Sequence, residues 1–132
     1  MYGLTRKLSL FSLLYVVASL LDISFTYIYI VKLGLYSEAN PFMANLVFTQ
    51  PPYVLYALDM LILTLVLSVT LAYRRLVVRV GVSKVADKCW VILATAAINR
   101  LLPGIHNVIL LTTGYETPLP QIIRYMYMIV KK

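Results

Sequence analysis

Apolar positions in this chain come in runs far longer than a soluble helix or strand needs. From Leu8 to Val31 there are 24 residues with Asp22 as the only charge, about 36 Å as an α-helix against a hydrocarbon core of about 30 Å. Tyr53 to Tyr73 forms a second run of 21 residues, again with one charge, Asp59. "QPP" at 50–52 stops any helix entering it, and Tyr at both ends suits the aromatic belts of a bilayer. The third run, "CWVILATAAINRLLPGIHNVILLTT" at 89–113, carries Asn99, Arg100, Pro103, Gly104, His106 and Asn107. The pattern predicts an all-α polytopic membrane bundle of three to four transmembrane helices, with spans at about 8–31, 53–73 and 89–113. The tail at 119–130 is short for a span and interrupted by Arg124, so it reads as an interfacial helix or a short fourth crossing.

Composition strengthens this picture. Of 132 residues, 61% are hydrophobic and 13% charged, whereas a soluble domain is closer to half apolar and a quarter charged. A globule this small cannot hide so much apolar side chain from water. The chain therefore reads as one integral membrane domain over 1–132, with lipid as its first partner. A cleaved signal peptide has an apolar core of about 7–15 residues, shorter than the first run, so that run reads as a retained span. The single Cys89 excludes an internal disulfide.

The net charge of +7 comes from twelve bases against five acids. These bases cluster in short segments between the apolar runs, the pattern of topology signals rather than of a nucleic-acid-binding face. Two bases, Arg6 and Lys7, precede the first run, and "RRLVVRVGVSKVADK" at 74–88, a basic loop or in part an amphipathic helix lying on anionic headgroups, holds five. The 32–52 connection has one, Lys32, and 114–120 has none. The expected arrangement is a multi-pass cell-membrane protein with the N-terminus and the 74–88 loop cytoplasmic, although Arg124, Lys131 and Lys132 pull the tail inward too.

An ionisable residue in hydrocarbon is expensive and usually marks a site or a partner. In the first run, Ser12, Tyr15, Ser19, Asp22, Thr26 and Tyr29 recur in steps of three and four, one stripe of a helix that should face other helices. Rise per residue puts Asp22 about 13 Å, Asp59 about 9 Å and His106 with Asn107 about 10 Å below the outer ends of their spans. Arg100 lies nearer the middle. Pro103 removes a hydrogen bond to the Asn99 carbonyl and predicts a kink beside this layer. On the outer side, "SEANPF" at 37–42 has the form of a capped start to a short helix at Pro41, which would hang Glu38 over the layer.

Asp22-x-x-x-Thr26, followed by Glu38-x-Asn40-Pro41 and a late Asn in the last strong span, resembles a family of small multi-pass prokaryotic membrane proteins of unknown function, mostly archaeal. The resemblance covers roughly residues 15 to 110. It implies that Asp22, Thr26, Glu38, Asn40, Pro41 and Asn107 share one site, and it implies no reaction. Such proteins often carry a base in the second span where this chain has Asp59.

The candidate polar site is thus Asp22, Thr26, Glu38, Asn40, Asp59, Asn99, Arg100, His106 and Asn107. Two functions remain open. An outward-facing acidic site can bind a divalent cation through Asp22, Asp59 and His106, or relay protons through its carboxylates and imidazole. Alternatively, the chain is a structural or accessory subunit of a homo-oligomer or larger membrane complex, with Asp22–Arg100 as a structural ion pair. No H-E-x-x-H, Gly-rich phosphate loop or Ser/Cys nucleophile motif is present, so the reading leans away from an enzyme.

Overall fold

A computed structural model describes residues 2–34, 41–115 and 117–130. Glu38 and Asn40 of the expected site lie outside these residues. The first helix, α1 (Tyr2–Thr26), passes without a break into a π-helical turn, Tyr27–Lys32. There the Leu33 N–H donates to the carbonyl of Ile28, five residues back, at 3.0 Å. Gly34, at φ +61°, ends the turn in the left-handed conformation that glycine reaches without a Cβ clash.

A short helix, α2 (Pro41–Thr49), starts at the proline as the sequence suggested. The second long helix, α3 (Pro52–Arg79), has Pro52 in its first turn, where no backbone donor is lost. Gly81, at φ +86°, follows its end. The short α4 (Ser83–Ala86) leads to α5 (Trp90–Thr113), which ends at Gly114 with its N–H on the Leu110 carbonyl at 2.9 Å. The last element is α6 (Leu119–Val130).

Three helical stretches among the described residues are long and apolar enough to cross a membrane: Gly3–Lys32, Pro52–Arg79 and Lys84–Thr113. The 12 residues of α6 cover about 18 Å as a helix, short of a bilayer core. Its Ile122, Tyr125, Met126 and Ile129 share one exposed face. The basic stretch 74–88, expected as a loop or in part as an amphipathic helix, is largely helical. Arg74, Arg75 and Arg79 lie in the last turns of α3, Ser83–Ala86 add a helical turn, and Val80–Val82 and Asp87–Lys88 lie outside the helices.

The start of α1 meets the start of α5, where Phe11 and Trp90 stack at 5.5 Å and Lys7 lies over the indole. These two helices are therefore parallel, and α3 runs against both. Two apolar clusters fix the register. Tyr15, Leu63, Leu93 and Ala97 pack together toward one end; Ile23, Val47 and Leu55 join α1, α2 and α3 toward the other. The closest approach is between α1 and α5. A Cβ at Gly104 would lie 3.6 Å from the Ala18 carbonyl oxygen, so small residues let the two backbones come together. Pro103, expected to kink the third span, lies inside α5 without interrupting it.

Candidate functional site

The polar stripe of α1 turns inward as its spacing requires. Tyr15, Ser19, Asp22 and Thr26 are all buried between the helices. Asp59 of α3 is buried at the same level, 6% exposed against 8% for Asp22. Between the two acids sits the guanidinium of Arg100 from α5. Its Nη1 lies 2.9 Å from Asp22 Oδ2, and its Nε lies 2.9 Å from Asp59 Oδ2. A planar fork with several N–H groups can meet two carboxylates at once, which the ammonium of lysine does less well.

The remaining carboxylate oxygens have donors of their own. Asn107 Nδ2 donates to Asp22 Oδ1 at 2.8 Å. The Tyr15 hydroxyl donates to Asp59 Oδ1 at 3.2 Å. The result is a ladder, Tyr15–Asp59–Arg100–Asp22–Asn107, with steps contributed by all three long helices. Tyr15 and Asp22 are seven residues apart on α1, as are Arg100 and Asn107 on α5, so the ladder extends about 10 Å along the helix axes. Ser19 Oγ lies on the same stripe, buried with no hydrogen-bond partner among the described residues. One turn from Asp59, the Tyr56 hydroxyl and Ser24 Oγ share a hydrogen bond of 2.7 Å between α3 and α1.

Asp22, Asp59, Arg100 and Asn107 of the expected site therefore meet, and Thr26 is buried on the same stripe. His106 and Asn99 do not join them. The His106 ring pairs through Nδ1 with the Thr117 hydroxyl, in the segment before α6. Asn99 is exposed on the outside of α5. The physical reason is angular: each precedes a ladder residue by one position, a rotation of about 100° around the helix. The expected grouping of Asp22, Asp59 and His106 is not formed, and among the described residues no three His, Cys, Asp or Glu side chains are placed to hold a metal ion. Tyr15 was legible as part of the stripe but not as a donor to Asp59. Tyr56 escaped notice, although its place three residues before Asp59 puts it on the same face of α3.

Three long apolar helices joined by two buried acids and an arginine define an all-α bundle of membrane type. The chain belongs to the DUF5658 family, a domain of unknown function, whose model matches residues 13–113. That stretch holds every rung of the ladder. No match was found among curated proteins or solved structures.

Proposed function

We propose that the Asp22–Arg100–Asp59 cluster is an intramembrane charge site that takes up and releases a proton. What supports this reading is the charge balance among the described residues: there, two carboxylates face a single guanidinium. An uncompensated charge in low dielectric is costly, so an excess of one negative charge favours capture of one positive charge. A proton needs no coordination shell. A divalent cation wants six or more oxygens, whereas here the carboxylate oxygens already accept hydrogen bonds from Arg100, Asn107 and Tyr15. The ladder of hydroxyl and amide side chains gives the proton a polar path along the bundle axis.

Infrared spectroscopy of the protein in lipid vesicles tests this directly. A protonated-carboxyl C=O band should grow as pH falls, and it should shift or vanish in Asp22→Asn and in Asp59→Asn. A wild-type spectrum with no titrating carboxyl band other than those lost in an Asp87→Asn/Glu38→Gln/Glu116→Gln control would overturn the proposal.

A second reading, a structural or accessory subunit, is favoured by the completeness of the hydrogen bonding around both carboxylates. In that case the cluster only registers three helices against each other, and a fully neutral replacement would leave cellular function intact.

The same proposal sets the site in the outer half of a cell membrane, with the N-terminus and the 74–88 segment cytoplasmic. The lysine and arginine distribution supports this orientation. In a Cys89→Ser background, Tyr115→Cys should react with a membrane-impermeant thiol reagent in intact cells, and Val82→Cys only after lysis. Both native residues are exposed. The opposite labelling pattern would invert the topology.

A further inference from the structure

The helix α5 has a second polar stripe, on the side away from α1. Its buried face is Leu93, Ala94, Ala97 and Gly104, continued by Arg100 and Asn107. On the opposite side, about 180° around the helix, Thr95, Asn99, Leu102, His106, Ile109 and Thr113 recur in alternating steps of four and three. This is the spacing of a helix–helix seam. Thr95, Asn99, Leu102 and Thr113 are exposed on it. Three of its polar groups are satisfied: Thr95 and Thr113 bond to carbonyls of their own helix, and His106 pairs with Thr117.

Asn99 is different. No hydrogen bond among the described residues involves its side chain, yet it lies nine residues into the span that starts at Trp90, close to the middle of a bilayer. An amide left facing hydrocarbon costs several kcal/mol.

We infer that the Asn99 face of α5 is the contact surface for a second copy of this chain, in a parallel two-fold dimer whose axis runs along the membrane normal. The carboxamide is the argument for that occupant. It carries both donors and an acceptor, so it is complementary to itself. Copies inserted in the same orientation hold Asn99 at the same depth, and a two-fold axis brings each residue on the seam to its own counterpart. Thr95, one turn before Asn99, is small enough to let the two backbones approach, while Leu102 supplies apolar contact on the other side. The seam lies apart from the Arg100 ladder, so this inference stands whether or not the ladder moves protons.

The test uses the full chain in vesicles, with donor- and acceptor-labelled protein mixed over a range of protein-to-lipid ratios. Energy transfer should report a dimer for wild type. Asn99→Leu, which removes the amide from an exposed position, should weaken association by about tenfold with unchanged helical circular dichroism, while Asn99→Gln should retain it. In a Cys89→Ser background, Leu102→Cys should cross-link to its own copy under mild oxidation, and Leu61→Cys, exposed on α3, should not. A wild type that is monomeric at all ratios, an Asn99→Leu variant that dimerises as well as wild type, or cross-linking at Leu61→Cys in preference to Leu102→Cys would each overturn the assignment.

Discussion

Arg100→Met will destabilise the folded bundle by about 3–5 kcal/mol, the usual consequence of removing one partner from a buried ion cluster. Two carboxylates would then face each other across the space left by the guanidinium, each having lost a contact of 2.9 Å. Methionine is close to arginine in length and keeps the apolar packing, so the lost charge dominates the effect. Unfolding in mixed micelles, followed by far-UV circular dichroism, measures it. The informative control is the triple replacement Asp22→Asn/Asp59→Asn/Arg100→Met, which removes every charge together. It should recover most of the loss, because a neutral cluster carries no uncompensated charge into the bilayer. An Arg100→Met variant within about 1 kcal/mol of wild type would show that the guanidinium does not hold the acids as described.

The second large effect is steric. Gly104→Leu should destabilise the pairing of α1 and α5 by about 1–3 kcal/mol or more through overpacking. Gly104→Ala should stay within about 1 kcal/mol of wild type, since alanine also favours helix over glycine by nearly that amount. The difference follows from geometry. A single Cβ at position 104 would meet Ala18 O at 3.6 Å and Leu21 Cβ at 3.9 Å, ordinary contact distances. The branched end of leucine would have to occupy the α1 backbone itself. The same micelle unfolding assay compares the two, and equal losses for alanine and leucine would contradict so close an approach.

The fold was readable because hydrophobic runs of span length leave few alternatives. The inward stripe of α1 was readable because steps of three and four define a helix face, and Tyr15, Ser19, Asp22 and Thr26 are all buried on it. Depth below the membrane surface was enough to bring Asp59 to the same layer. It was not enough for α5. Depth is one coordinate, and Asn99 and His106 share theirs with Arg100 and Asn107 to within one residue. The angle around the helix separates the pairs. Arg100 and Asn107 are seven apart and face the acids; Asn99 and His106 are seven apart and face elsewhere. That distinction could have been drawn from spacing alone, once Arg100 was chosen as the partner of both acids. The bonds of Tyr15 to Asp59 and of Tyr56 to Ser24 depended on how far a phenol reaches between helices, which no pattern along one chain reveals. The basic stretch 74–88 reads as a loop, or in part an amphipathic helix, because arginines end an apolar run. A helix can nevertheless continue past the membrane edge, with long basic side chains reaching polar surroundings.

The wide turn at Tyr27–Lys32 has a bearing on how this fold tolerates change. Such a turn behaves like one surplus residue threaded into an otherwise regular coil, swinging everything after it by about 100°. Ile30 takes a buried place there, while Tyr29 is only partly covered. The rungs at Tyr15 and Asp22 precede the surplus residue and keep their aim whatever follows. An insertion or deletion after Lys32 would therefore re-aim the chain beyond it and leave the register of the α1 rungs unchanged.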